Sequence, residues 1–233
     1  MTISTNKAGE TSSTKTGGAF ADGLTLIRLA LTPVIMLVII KGWPNLDMAV
    51  LASVLFIVAA ITDFFDDYFG GTEMAVHRKF GWFDDIADIV LVVGTLAAML
   101  FVTHKHGLLA WTFLVPAGAI ILREALVGLI KGYDMTKTGW PETRYGDLKN
   151  GLVMLGTCLL VASPWLTTWI DRALAGPDNA MEIYGSTSPY VWLIGEGVLW
   201  VAAIVSIVTG VKLLTTKPTN TKPAVNGPKD DEE

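Results

Sequence analysis

Six aspartates, Asp63, Asp66, Asp67, Asp84, Asp85 and Asp88, crowd into one short stretch between two long apolar runs. Ionised carboxylates beside hydrocarbon are costly to desolvate, so such a cluster calls for water or a compensating cation. Asp63, Asp66 and Asp67 are spaced i, i+3, i+4 and share one face of a helix, as do Asp84 and Asp88 at i, i+4. Asp85 points to another face and is expected to meet solvent or to support the others from behind. Carboxylates gathered on helices, with no cysteine and no ligating histidine, suit Mg2+ or Mn2+. His77 is read as a loop residue. The bland alternative is a set of solvated helix ends, with Asp84 as an N-cap. The spacing favours a divalent-metal site where two antiparallel, neighbouring spans converge.

The elements that must position these residues are apolar. The chain has 233 residues, 52% of them hydrophobic and 17% charged, and charge gathers in short loops and at the ends. Six segments are long enough, or nearly so, to cross a hydrocarbon core that needs ~20 helical residues. They run from Leu24 to Ile40, Met48 to Phe69, Trp82 to Thr103, Leu108 to Ile130, Leu148 to Ile170 and Tyr190 to Leu214. The predicted fold class is an all-α integral membrane bundle of six transmembrane helices. Residues 1–20 and 216–233, rich in Ser, Thr, Pro and Lys, are expected to be disordered cytoplasmic tails around a membrane domain at 21–215. Pro33 and Pro116 fall inside spans, which neighbouring helices can accommodate. Trp43, Trp111, Trp165 and Trp169 fall near span ends, as an aromatic belt would.

Orientation follows from the basic residues. With both termini cytoplasmic, only Lys41, Lys105 and Arg172 are left on the opposite side. That puts the Asp cluster on the cytoplasmic face. A net charge of -5 gives no basic footprint for nucleic acid. The single Cys158 excludes an intramolecular disulfide and is read as a buried structural residue. No internal repeat supports a transporter layout, and acidic residues at one face rather than at mid-membrane argue against a cation transporter.

Asp63, Asp66, Asp84 and Asp88 fall at all four acidic positions of the pattern D-x2-D-G-x2-A-R-x8-G-x3-D-x3-D, and here the chain resembles the CDP-alcohol phosphatidyltransferase family. GLTLIRLALTPVIMLVI at 23–39, ILREALVGLIK around Arg123 and GDLKNGLVML around Lys149 are similar to its phosphatidylglycerophosphate synthase branch. The resemblance spans 23–214. The chain departs from the pattern where Asp67 replaces the Gly, Gly70-Gly71 the Ala-Arg pair, and Phe80 the later Gly, with Gly81 one residue along. The metal half of the motif is intact and the nucleotide half is altered.

The resemblance implies transfer of a phosphatidyl group from CDP-diacylglycerol to a small alcohol, with glycerol 3-phosphate favoured, and release of CMP. It implies two Mg2+ or Mn2+ ions on Asp63, Asp66, Asp84 and Asp88, with Asp88 also abstracting the alcohol proton. It assigns Asp67, Gly70 and Gly71 to the nucleotide and phosphate region. There Asp67 is an additional ligand or a loop charge, and the glycines are a phosphate cradle or a plain turn. Arg78 or Lys79 would stand in for the missing Arg. Arg28, Arg123 and Lys149, near cytoplasmic ends of three spans, are snorkelling anchors or a pocket for the acceptor's phosphate. Glu124 orients Arg123 or forms a structural salt bridge. Glu196 is expected to be solvated at the outer interface. A homodimer in the bacterial inner membrane is also implied. The alternative function is a non-catalytic, metal-containing membrane binding or assembly subunit.

Overall fold

Long apolar stretches, interrupted only where the chain must turn, build six helices. In the computed structural model these are α1 (Glu10–Gly42), α2 (Leu46–Phe69), α3 (Gly81–Lys105), α4 (Trp111–Asp134), α5 (Arg144–Ala175) and α6 (Tyr190–Thr215). The structure describes the backbone at 10–69, 81–134, 144–175 and 190–215, and side chains at 23–62, 86–128, 148–173 and 190–211. Among the described residues the fold is all-α, as expected.

Five helices are long and apolar enough to span a bilayer: Gly23–Gly42, Ile86–Lys105, Trp111–Gly128, Leu148–Ala173 and Tyr190–Val211. A shorter apolar stretch, Leu46–Thr62, belongs to α2, whose helix continues to Phe69. The protein is a multi-pass membrane protein. Helix α1 begins at Glu10, inside the stretch read as a tail. Residues 1–9 and 216–233 lie outside the described residues.

Local chemistry sets the turns. Asn45 Oδ1 accepts from the Asp47 amide at 3.0 Å and so caps α2. Helix α3 ends at Lys105 and is closed by Gly107 two residues on, whose φ of 68° is left-handed, and the Leu108 amide reaches back to the Thr103 carbonyl at 2.8 Å. Pro33, Pro116 and Pro164 sit inside α1, α4 and α5 without ending them.

The packing order is not the chain order. Around the bundle, neighbours run α1, α3, α4, α6, α5, α2 and back to α1, and α3 also touches α5. Among the described residues α2 and α3 barely meet, because α1 packs along both. Along the described side chains α2 and α3 are thus not direct neighbours, while the convergence expected at their acidic ends falls on side chains that, Asp88 apart, lie outside the described residues. Helices α5 and α6 approach most closely through reciprocal glycines. A Cβ on Gly156 would sit 3.0 Å from the Leu199 side chain, and one on Gly195 would sit 3.1 Å from Leu160. Small residues let membrane helices gain contact that lipid cannot supply.

The core lies mid-bundle around Ile35, Phe56, Leu96, Met99, Phe113, Ile120, Leu160 and Leu199. Two sequence expectations fail at the end away from the Asp motif. Trp43 is core rather than belt: it is 5% exposed, donates through Nε1 to the Val161 carbonyl and packs on Trp192 at 5.8 Å. Glu196 is buried rather than solvated, with Trp192 Nε1 donating at 2.7 Å and Thr112 Oγ1 at 3.2 Å to the same oxygen. Trp111 and Trp169 are exposed, as belt residues should be. Trp165 is half-buried, with Nε1 donating to Ser53 Oγ, and Cys158 is half-buried at the core edge.

Candidate active site

Polar side chains are rare inside this bundle, so where they collect is informative. At the motif end lie the early turns of α1, α3 and α5 and the late turns of α4 and α6. Arg28 of α1 is fully buried and ion-paired through Nη1 with Asp88 Oδ1 of α3. Thr32, one turn along, donates to the Arg28 carbonyl at 3.0 Å. A guanidinium with no solvent exposure requires an anion, because desolvating an unmatched charge costs several kcal/mol. Helix α1 delivers it to Asp88 because the two helices pack closely. A Cβ on Gly94 would lie 2.9 Å from Met36 Sδ and 3.2 Å from Thr32 Cγ2.

The second cluster joins α4 to α5. Arg123 Nη1 donates to Glu124 Oε1 at 2.8 Å, and Lys149 Nζ donates to the same oxygen at 2.7 Å. The side chains are 16%, 8% and 7% exposed for Arg123, Glu124 and Lys149. Arg123 Nε is buried without a hydrogen-bond partner and lies against Gly210 of α6, where a Cβ would come within 3.4 Å of it. Two cations share one carboxylate here, close to the acidic helix ends.

The predicted residues therefore divide into groups. Arg123 and Lys149 come together, as expected of a pocket. Arg28 does not join them: it is held on Asp88, and its complete burial excludes a snorkelling anchor. Asp63, Asp66 and Asp67 lie in the last turns of α2, and Asp84 and Asp85 in the first turns of α3. Asp84 is inside the helix that begins at Gly81, so it is not the N-cap. The side chains of these five aspartates lie outside the described residues, as do Gly70, Gly71, His77, Arg78, Lys79 and Phe80 altogether. The described side chains gather no group of three metal-ligating residues.

The donor chemistry of the motif nonetheless fits a hard divalent cation. All four acidic positions lie on helix backbone, at i, i+3 on α2 and i, i+4 on α3, and offer only carboxylate oxygen. Sequence reasoning missed the reach of Glu124 to Lys149 and the role of Gly210 beside Arg123. Neither carries a local spacing signal, since the partners lie on different helices.

A family profile described as CDP-alcohol phosphatidyltransferase matches residues 19–208. Over 189 residues the chain is 31% identical to a CDP-diacylglycerol--glycerol-3-phosphate 3-phosphatidyltransferase of Rickettsia typhi, covering 80% of this chain and 90% of that protein. The protein of the same name from Cereibacter sphaeroides is 28% identical over 207 residues, with 80% and 90% covered. That from Salmonella choleraesuis is 32% identical over 153 residues, with 64% and 79% covered.

Proposed function

The chain belongs to the CDP-alcohol phosphatidyltransferase family, and from that premise we propose that it moves the phosphatidyl group of CDP-diacylglycerol to glycerol 3-phosphate, releasing CMP. The observation that carries this reading is the buried Arg123–Glu124–Lys149 cluster. It occupies the same end of the bundle as the helix turns bearing the Asp motif. A phosphate-bearing acceptor and a diphosphate-bearing donor need these two kinds of group close together.

Asp63, Asp66, Asp84 and Asp88 would hold two Mg2+ or Mn2+ ions, which when bound offset charge on the diphosphate and on departing CMP. The acceptor hydroxyl oxygen bonds to the β-phosphorus. The bond from that phosphorus to the CMP oxygen breaks, and its electron pair leaves with CMP. Asp88 takes the hydroxyl proton. Arg28 restrains the Asp88 carboxylate, so its orientation is fixed before substrate arrives. Arg123 and Lys149 hold the acceptor phosphate through charge-assisted hydrogen bonds. Asp67, Gly70 and Gly71 border the nucleotide. A site at a helix end lets a lipid donor and a soluble acceptor meet at the membrane surface. The basic-residue asymmetry supports the cytoplasmic face of a bacterial inner membrane, with both termini inside, and the family resemblance supports a homodimer.

The test is CMP release by purified protein given CDP-diacylglycerol, Mg2+ and a panel of alcohols. Release that requires glycerol 3-phosphate and is lost in Asp88→Asn is the expected result. Release with an unphosphorylated alcohol alone would move the acceptor. No release, and no binding of CDP-lipid, would favour the non-catalytic subunit.

A further inference from the structure

We propose that Glu124 is the positioning residue of the acceptor-phosphate site, drawing Arg123 and Lys149 to one point and setting their joint charge. The proposal rests on the reading of that pair as the acceptor site. Three observations support it.

First, the Glu124–Lys149 bond joins two helices that otherwise scarcely meet. Among the described residues α4 packs on α3 and α6, and α5 packs on α6, α2 and α3. Side chains of Glu124 and Lys149 bridge the space left between α4 and α5. Apolar packing does not hold this junction, and a buried ion pair is a poor substitute for it, because desolvation offsets most of the attraction. A bridge kept under those terms is better explained by what it presents than by what it stabilises.

Second, one carboxylate oxygen serves both cations, at 2.8 and 2.7 Å. Their nitrogens are thereby fixed close together despite mutual repulsion, a separation that suits two oxygens of one phosphate. Without the carboxylate, the link that holds Lys149 Nζ beside Arg123 is lost. Third, the cluster keeps unused donor capacity. Arg123 Nε is buried and unpartnered, on the side facing Gly210. A buried donor without an acceptor is costly, and a phosphate oxygen would relieve it. Two cations presented side by side favour a phosphomonoester over an unphosphorylated alcohol such as glycerol or serine.

The test is steady-state kinetics of the full-length protein in detergent, varying glycerol 3-phosphate and CDP-diacylglycerol separately, with inorganic phosphate as a competing probe. Glu124→Gln keeps shape and acceptor oxygen but removes the charge. It is expected to raise KM for glycerol 3-phosphate and the inhibition constant for phosphate by roughly ten- to hundredfold, as loss of charge-assisted hydrogen bonds implies. KM for CDP-diacylglycerol should stay within about twofold. The double variant Glu124→Gln, Lys149→Gln should lose less than the two single variants added together, since part of the effect of Glu124 passes through Lys149 and part through Arg123.

If Arg123→Gln and Lys149→Gln raise KM for glycerol 3-phosphate while Glu124→Gln does not, the positioning role is wrong and the acceptor site stands. If neither cation matters, the acceptor-site reading itself falls. Equal rises in both KM values, or additive losses in the double variant, would make Glu124 merely structural and overturn the proposal. Should Glu124→Gln fail to fold, Glu124→Asp decides. It keeps the charge but is too short to hold both cations, so a selective rise in KM for glycerol 3-phosphate supports the proposal and unchanged KM overturns it.

Discussion

Glu124 and Glu196 are nearly equal in exposure, 6% and 5%, and each ties two helices together, yet their partners are of opposite kinds. Glu124, at the motif end, is held by two cations. Glu196, at the far end, is held by an indole N–H and a hydroxyl, and forms no ion pair among the described residues. Around Glu196 the donors interlock: Thr112 donates to it and offers its own carbonyl to Trp200 Nε1 at 2.8 Å. Trp192 is wedged between Trp43 and Phe113, at 5.8 and 5.3 Å. That end is an aromatic clamp of α4, α5, α6 and Trp43 just past α1, in which the donors to Glu196 carry no charge. The motif end gathers ion pairs and keeps an unfilled donor, Arg123 Nε. One end is built to be finished, the other to receive an anion.

Substitutions at the two ends should therefore differ in kind as well as size. Asp88→Asn should lower CMP release by about 10³-fold or more, because it removes the base and a ligand together, and should lower the melting temperature too, because it strands the buried Arg28 guanidinium. Activity comparable to that of the unaltered protein would break the assignment of chemistry to this end. Arg28→Gln should cost less activity, roughly hundredfold, as expected when a reacting group loses its alignment. It should also lower stability by about 3 kcal/mol, the low end for breaking a buried pair, since Asp88 keeps some solvent contact. Thermal unfolding in detergent, beside the same CMP assay, measures both. At the far end, Glu196→Leu strands two donors at about 1–3 kcal/mol each, yet kcat should stay within about twofold. A large loss of kcat with unchanged melting would show that the far end is coupled to the chemistry.

How much of this was legible in the sequence follows from what is local. The spacing of Asp63, Asp66, Asp84 and Asp88 is periodic along single helices, so it could be read before any packing was known. The six apolar runs were legible for the same reason, with boundaries that shift by a few residues at most helices and further only at the start of α1. The partners of the buried charges were not legible. Arg28 meets Asp88 across 60 residues and Glu124 meets Lys149 across 25. Those distances are set by the order of helices around the bundle, which places α1 between α2 and α3. Hydropathy put Glu196 at a span end, where water is the default partner. Only the fold brings Thr112, 84 residues away, close enough to supply a donor instead. The Asp motif predicts a chemistry; the tertiary arrangement decides which cations attend it.

The smallest expected effect is the sharpest contrast. Glu196→Gln makes the same chemical change as Glu124→Gln and should do almost nothing. Its amide oxygen can accept from Trp192 Nε1 and Thr112 Oγ1 as the carboxyl oxygen does, so both donors stay matched. The cost should be about 1 kcal/mol or less, since both hydrogen bonds are kept and no cation among the described residues loses a partner. Neither KM should move. Glu124→Gln removes the charge that draws its two cations together and should selectively weaken glycerol 3-phosphate. A melting shift for Glu196→Gln as large as that for Glu196→Leu would mean that the far end also depends on charge. The division between a clamp of uncharged donors and a receptor built from cations would then have to be abandoned.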